Sequence, residues 1–240
     1  GAGLGGEVCA SRSPVGESGR WCGAAASNAR YAADGDRLPV DQSDRAGGVK
    51  VGNAHEQVAL KVLDNQADNT LAVGQYTQLV TDDKIQLLLG PFASDAVIAT
   101  SSVAEKYQVP MIQGGGASDQ IFSRGYKFIF GTLPVASKYF ESTLDAMGKL
   151  TPAPKSVALL YADDAFDVSV ADGTRSLIKK AGLELVLDQR YSTNASDFAS
   201  LLSRIKSAKP DAVLVAGHET EILNFIRQAK SLDVSPPFYS

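Results

Sequence analysis

Short apolar runs alternate with amphipathic, helix-like segments along the chain from residue 49 onward. Runs such as Ile85–Leu89 and Ser156–Tyr161 are almost continuously apolar, which is typical of strands buried on both faces of a parallel sheet. Apolar residues at Phe140, Leu144 and Met147 have the i, i+4, i+7 spacing of one helix face. The predicted strands are Val58–Leu63, Ile85–Leu89, Val109–Gln113, Tyr126–Phe130, Ser156–Tyr161, Leu183–Asp188, Ala212–Ala216 and Phe238–Tyr239. Predicted helices cover Asn69–Leu79, a segment from Ser94 to about Lys106, and the apolar-periodic segments 140–147, 170–181, 198–205 and 222–229.

This alternation predicts an α/β fold with parallel sheets built from right-handed βαβ units. A break in the pattern near 132–135 divides the series into two similar lobes, 49–132 and 133–240, the second of them truncated. Ligands of such sheets bind beyond the carboxyl ends of the strands. We therefore expect functional residues in four loops, which cover 91–95, 113–119, 162–167 and 217–220.

Residues 1–48 have a different composition from the rest of the chain. They contain 10 of the 22 glycines and only five Val, Leu, Ile, Met or Phe residues. No apolar run among them predicts a buried strand. We expect a poorly ordered lead-in, or a segment that is not native to the fold, as a shifted reading frame would produce.

Charge and composition exclude several classes of function. The 240 residues have a net charge of −4, so no basic excess is available to neutralise nucleic-acid phosphates. No apolar run approaches the roughly 20 residues of a membrane span. Cys9 and Cys22 are the only cysteines, too few for a disulfide-dense scaffold or a thiol-rich metal site. No secretory signal pattern is visible, and a processed or truncated chain would also lack one.

Motifs of catalytic type lack the context that they require. Gly1, Gly3 and Gly6 fit G-x-G-x-x-G, but no strand precedes them and no periodic helix follows. The segment His218–Glu221 begins like a zincin motif, but its second histidine position is occupied by Ile222. Asp163 and Asp164 are more typical of a helix cap or a solvated pair than of catalytic acids. We predict that the protein is not an enzyme and has no cofactor or metal centre, since His55 and His218 are its only histidines.

Two loops of the first lobe are suited to a small polar ligand. Ser94 follows Gly90-Pro91 at the start of a helix, where free N–H groups favour an anion, although Ser94 would also serve simply as a helix cap. The loop Gln113–Ser118 contains three consecutive glycines, which either let the backbone approach a ligand or make a flexible turn. In the second lobe, His218 follows a strand and is either a ligand contact or a half-exposed residue at a helix start.

Several short segments together resemble one known family. The stretch from about Asp44 to Ser240 is similar to the periplasmic substrate-binding proteins of branched-chain amino acid ABC importers. The segments that carry the resemblance are Asp44–Val49, Leu63–Gln66, Leu89–Ser94, Val109–Gly115, Arg124–Tyr126, Tyr161–Asp164 and Pro210–Gly217. The resemblance implies two Rossmann-like lobes of the type 1 periplasmic binding fold, joined by a hinge near 131–136 and closing around a ligand. The chain then lacks parts of that fold at both ends.

The resemblance also implies roles for individual residues. Ser94 matches a carboxylate-binding serine, and Gly115 matches a residue whose carbonyl binds the ligand's amine. Gly116 belongs to the same loop, and Ala117 stands where leucine binders have a threonine, a hydroxyl that Ser118 would have to replace. Phe166 and His218 match ligand-facing aromatic positions of the second lobe. The acidic residue that commonly pairs with the amine would lie beyond Ser240.

From these roles we expect capture of a small amino acid with a branched-chain or other apolar side chain, and its delivery to an ABC permease. We expect the protein to be a monomer that does not bind nucleic acid. The expected location is the periplasm, or the outer face of a single-membrane cell through a lipid anchor. The alternatives are the same fold binding amides, urea or small aromatic acids, and a ligand-sensing receptor domain. An α/β enzyme is a further alternative that lacks a catalytic constellation.

Overall fold

Helices begin and end where the sequence supplies a cap or a change of backbone direction. The computed structural model describes residues 14–19, 41–56 and 58–240. In it, Asp68 caps the helix Asn69–Thr81 by accepting hydrogen bonds from the N–H groups of Thr70 and Leu71. The helix Ser94–Tyr107 ends at Gln108, which has a left-handed backbone conformation with φ of 56°. Capping of this kind satisfies backbone groups that a helix end leaves without partners.

The described residues form two compact units, one extending to Leu133 and one beginning at Pro134. This division falls inside the break that the sequence pattern shows at 132–135. The strands are β1 (Pro14–Gly19), β2 (Val49–Val51), β3 (Ala54–Glu56), β4 (Ala59–Asp64), β5 (Leu87–Leu89), β6 (Met111–Gln113), β7 (Ile129–Gly131), β8 (Ser156–Ala162), β9 (Glu184–Tyr191), β10 (Ala212–Ala216) and β11 (Phe238–Tyr239). The helices are α1 (41–45), α2 (Asn69–Thr81), α3 (Ser94–Tyr107), α4 (Gln120–Ser123), α5 (Glu141–Met147), α6 (Ala165–Lys180), α7 (Ala199–Ala208) and α8 (Glu219–Ser231), with a 3₁₀ helix at Ala136–Lys138.

The first unit is built on a parallel sheet with the strand order β4-β1-β5-β6-β7. Strands β2 and β3 form a separate antiparallel hairpin. The core between the sheet and its helices contains Tyr76, Leu79, Leu88, Val97 and Met111, all fully buried. The parallel α/β sheet predicted for this part of the chain is confirmed.

The second unit has a parallel sheet with the order β11-β10-β8-β9. Residues Val157–Leu160 of β8 are fully buried, as the unbroken apolar run predicts. The core on one face contains Phe198, Leu202, Ile205 and Phe225. Among the described residues, no helix combines the length and apolar character needed to cross a bilayer.

The prediction that residues 1–48 contribute no strand is wrong for residues 14–19. Their backbone forms β1, paired in parallel with β4 on one side and β5 on the other. The physical reason is that a strand ladder uses backbone N–H and C=O groups, which the apolar pattern of side chains does not report. Pro14 is at the first position of the strand, where a missing N–H is tolerated. Most of the remaining lead-in, including the glycines of the G-x-G-x-x-G match, lies outside the described residues.

Candidate functional site

In the first unit, strand register brings two predicted loops side by side. Strands β5 and β6 are neighbours, with Leu89 opposite Ile112, and the Gly90 N–H donates to the Ile112 carbonyl at 2.8 Å. The loops that follow, 90–93 and 114–118, therefore meet at the carboxyl edge of the sheet. This is the edge at which α/β sheets bind ligands.

Ser94 joins these two loops through its side chain. It is the first residue of α3, is 2% exposed, and its Oγ accepts from the N–H groups of Ala117 at 3.2 Å and Ser118 at 3.1 Å. The N-cap position belongs to Ala93, so the expectation that Ser94 caps its helix is wrong. Because both acceptor sites of Oγ point to the loop, its proton is directed elsewhere, and within the described ranges no acceptor for it is present. Ser94 is thus a buried hydroxyl donor beside the N-terminus of a helix.

Gln113 shapes the glycine loop from the end of β6. Its Oε1 accepts from the Gly115 and Gly116 N–H groups at 3.2 and 2.7 Å, and its Nε2 donates to the Gly116 carbonyl at 2.8 Å. The Gly115 carbonyl accepts from the Ala93 N–H at 3.0 Å and retains a second lone pair. The loop 114–118 is therefore a fixed structure rather than a free turn.

Gly115 is the glycine on which this close approach depends. A Cβ at Gly115 would lie 2.6 Å from Phe92 Cα and 2.7 Å from the Pro91 carbonyl oxygen, both of them backbone atoms. We expect Gly115→Ala to destabilise the first unit by about 1–3 kcal/mol, because the two loops must separate. Urea unfolding followed by circular dichroism measures the effect.

Gly114→Ala is the matched control for that substitution. Its Cβ would contact only the Thr132 Oγ1, at 3.2 Å, and we expect a change below about 0.5 kcal/mol. Equal losses of stability in the two variants would contradict the role assigned to Gly115.

The second unit repeats this arrangement with different chemistry. Strands β8 and β10 are neighbours, with Tyr161 opposite Ala216, so the loops 162–167 and 217–220 meet. Asp164 is the N-cap of α6, and its Oδ1 accepts from the N–H groups of Phe166 and Asp167, both at 2.9 Å. Its other oxygen, Oδ2, lies 2.6 Å from His218 Nε2. The capping role expected for this acidic pair is confirmed for Asp164.

Phe166 and His218 form an aromatic surface beside that ion pair. Their rings are stacked, with centroids 6.3 Å apart and planes at 29°. Tyr139 contacts Phe166 edge-on, with centroids 5.2 Å apart. Both distances lie in the range of favourable ring contacts. Phe166 and His218, which only the family resemblance connected, are thus neighbours within the second unit.

Two buried carboxyl groups complete the site. Asp167 is fully buried, and its Oδ2 lies 3.7 Å from His218 Nε2. Glu221 is also buried, and its Oε1 accepts from the Asn194 N–H at 2.8 Å. Within the described part of the chain, both oxygens of Asp167 and the Oε2 of Glu221 have no hydrogen-bond partner.

These surroundings separate the pKa values of the two aspartates. Burial, and then the charge of Asp164, raise the pKa of Asp167 to about 8. Burial acts to raise the pKa of Asp164 as well, but hydrogen bonds from His218 and the Asp167 N–H outweigh it and lower that pKa. The hydrogen bond to Asp164 raises the pKa of His218. The site therefore favours a charged Asp164–His218 pair next to a carboxyl group that burial tends to neutralise.

The structure brings the predicted site residues together in two groups. Ser94 lies with the loop residues Gly115, Gly116, Ala117 and Ser118 in the first unit. Phe166 lies with His218 in the second. Sequence reasoning missed the roles of Gln113, Tyr139, Asp167 and Glu221. For Asp167 a signal existed, since it shares helical spacing with the buried residues Val170, Ala171 and Thr174.

Comparison with known proteins is consistent with this geometry. The sequence model described as periplasmic binding protein matches residues 19–240. A Leu/Ile/Val-binding protein homolog of Brucella abortus is 29% identical over 212 residues, which cover 85% of this chain and 52% of the relative. The chain thus spans about half the length of the curated relatives it matches.

Solved structures share the fold. A leucine-binding protein of Thermotoga maritima matches with a TM-score of 0.81 and 20% identity, over 93% of this chain and 61% of that protein. A solute-binding protein of Rhodopseudomonas palustris, in complex with 3,4-dihydroxybenzoic acid, matches with a TM-score of 0.79 and 22% identity, over 93% and 60%.

The parallel α/β units and the loops at their carboxyl edges agree with a family match that covers most of the sequence. This chain belongs to the periplasmic binding protein family.

Proposed function

We propose that this chain is part of an extracytoplasmic solute-binding protein that captures a small amino acid with an apolar side chain and delivers it to an ABC permease. The observation that carries the proposal is Ser94, a buried hydroxyl whose acceptor sites are filled by the Ala117 and Ser118 N–H groups. Such a hydroxyl can act only as a donor, which suits a ligand carboxylate.

Electrostatics at the start of α3 favour the same group. The first turn of a helix presents N–H groups without intrahelical acceptors, and its positive end stabilises an anion. The Gly115 carbonyl, with one lone pair free, offers an acceptor for an ammonium group on the same ligand. A donor for carboxylate and an acceptor for amine on adjacent loops fit an α-amino acid.

The second unit has its own candidate ligand contacts, Phe166 and His218. Phe166 supplies an apolar ring for the side chain, and the neighbouring His218 supplies a polar one. No step of this function makes or breaks a covalent bond. Relatives named as Leu/Ile/Val-binding homologs and the leucine-binding structural neighbour support the choice of ligand, of an ABC permease as partner and of a periplasmic location.

A second candidate ligand is a small aromatic acid. The residue at 117 is alanine and therefore offers no hydroxyl group, while Tyr139 and Phe166 make an edge-on ring contact that suits an aromatic guest. A structural neighbour was solved with 3,4-dihydroxybenzoic acid. Both candidates share the carboxylate and differ in the ammonium group.

A thermal-shift titration of this chain distinguishes them. Ligands that bind only the folded state raise the melting temperature by mass action. We expect a shift with leucine, isoleucine or valine and none with benzoate or 3,4-dihydroxybenzoate. Shifts with the aromatic acids alone would replace the amino acid with the second candidate.

Ser94→Ala tests the carboxylate contact in the same assay. We expect its affinity for the amino acid to fall about tenfold or more, since a hydrogen bond to a charged group contributes about 1.5–3 kcal/mol. The variant also leaves two buried N–H groups without an acceptor, so affinity is compared after correction for the melting temperature without ligand. Ser102→Ala, an exposed serine of the same helix, should bind as the unmodified chain does. Unchanged affinity in Ser94→Ala would refute the proposal.

A further inference from the structure

The second unit contains more buried acid than its hydrogen bonds satisfy. Asp164, Asp167 and Glu221 approach one imidazole, that of His218, and three of their oxygens have no donor among the described residues. Removing a carboxylate from water without a partner is strongly unfavourable. Two events can offset this cost: Asp167 takes up a proton, or a cation binds between the donor groups.

The donor atoms of this cluster lie close enough to share one ion. Atoms from Asp164, Asp167 and His218 all lie within 4.8 Å of one another. His218 Nε2 is 2.6 Å from Asp164 Oδ2 and 3.7 Å from Asp167 Oδ2. Zinc bonds of about 2.0–2.1 Å place tetrahedral ligand atoms roughly 3.3 Å apart. Binding an ion requires Asp164 Oδ2 and His218 Nε2 to separate by less than about 1 Å.

The surroundings pre-orient these donors. The N–H groups of Phe166 and Asp167 fix Oδ1 of Asp164, which leaves Oδ2 facing His218. Asp167 is fully buried with both oxygens unpartnered, and one of them faces the same imidazole nitrogen. The His218 side chain is 35% exposed and provides a path of entry from solvent. Supporting hydrogen bonds of this kind are what metal ligands require.

We propose that Asp164, Asp167 and His218 form a binding site for a divalent transition-metal ion of the Zn²⁺ type. One imidazole and two carboxylates suit zinc, and three protein ligands leave a fourth position for water or another group. Ca²⁺ needs six to eight oxygens and Mg²⁺ a near-octahedral shell, so neither fits this donor set. The small number of histidines argued against a metal centre at the level of sequence, but the fold adds two carboxylates to a single histidine. The site lies within the second unit and shares His218 with the proposed amino acid site, but it involves neither Ser94 nor the 114–118 loop.

Calorimetric titration of Zn²⁺ into the chain, with no amino acid present, tests the proposal. We expect one equivalent to bind, and Co²⁺ to give the visible absorption of a low-symmetry site. Asp167→Asn and His218→Gln should each weaken binding at least tenfold, while excess Mg²⁺ should not compete. Two matched controls are Asp163→Asn, the preceding acid in the same loop, whose Oδ1 accepts from Thr193, and His55→Gln, the exposed second histidine. Both should bind zinc as the unmodified chain does.

Two results of the zinc titration would overturn the proposal. Less than one equivalent bound, or binding that survives His218→Gln but not His55→Gln, removes the site. Circular dichroism shows whether Asp167→Asn remains folded. If it does not, the effect of His218→Gln on zinc affinity is the deciding result, because the His218 side chain is partly exposed. An amino acid that binds normally to a chain without zinc affinity would exclude this site and leave the proposed function intact.

Discussion

Phe198→Ala should destabilise the second unit by about 3–5 kcal/mol, a large part of the free energy of unfolding of an ordinary domain. Phe198 is 2% exposed and is the second ring in a row of four, between Tyr191 and Phe225. Its centroid is 5.3 Å from that of Tyr191 and 5.6 Å from that of Phe225, both in near-perpendicular contact. Truncation removes the buried area and both ring contacts, and it leaves a cavity between α7, α8 and the sheet. Urea unfolding monitored by circular dichroism measures the loss.

Phe130→Ala is the matched control for this prediction. Phe130 is 53% exposed, and its truncation should change stability by less than about 0.5 kcal/mol. A double-mutant cycle with Phe225→Ala should give a coupling energy of about 0.5–1.5 kcal/mol, the value for ring pairs beyond their burial. Additive losses, or similar losses at Phe198 and Phe130, would mean that the ring row does not determine the stability of this core.

The same aromatic row shows why much of the fold could be predicted. Phe198, Leu202 and Ile205 repeat at helical spacing, and all three are buried. The helix α7 begins directly after Phe198 and contains the other two. The apolar run Ser156–Tyr161 predicts a strand, and β8 extends it by one residue. Where side-chain burial determines the element, the apolar pattern along the sequence carries the information.

Elements that depend on backbone pairing could not be found in this way. The segment Pro14–Gly19 has no apolar run, yet it pairs with two neighbouring strands. The short hairpin formed by β2 and β3 was missed as well, since its six paired residues contain no two-residue alternation long enough to be recognised. In both cases the partner strand supplies the stabilising contacts, and a single-sequence pattern does not include it.

The candidate site also has parts that the sequence could indicate and parts that it could not. Ser94 and the 114–118 loop could be singled out because the carboxyl edge of a parallel sheet is a general location for ligands. The contact between Asp164 and His218 spans 54 residues and follows from the register of β8 against β10. Asp167 belongs to no binding motif; its helical spacing with Val170 and Thr174 indicates burial, but only the fold places it beside that pair. Chemistry within one loop is visible in sequence, whereas chemistry between loops requires the sheet.

Gly173→Ala should also lower the stability of the second unit considerably, because Gly173 of α6 packs directly against the backbone of the 3₁₀ helix. A Cβ on Gly173 would lie 2.1 Å from the Ser137 carbonyl oxygen and 2.3 Å from Ser137 Cα, and neither atom can rotate away. Alanine favours a helix interior by up to about 1 kcal/mol over glycine, but overpacking against backbone costs about 1–3 kcal/mol or more. We expect a net destabilisation of about 2 kcal/mol, and a displaced Tyr139, which follows the 3₁₀ helix and contacts Phe166.

The same substitution in another helix should have the opposite sign. Gly74 lies inside α2 with no atom within 4 Å of its Cβ position. Gly74→Ala should therefore stabilise the chain by about 0.5–1 kcal/mol through helix propensity alone. Thermal and urea unfolding of the two variants give the comparison. If both substitutions stabilise the chain, the close contact at Ser137 does not exist in solution, and the position of Tyr139 beside Phe166 would have to be revised with it.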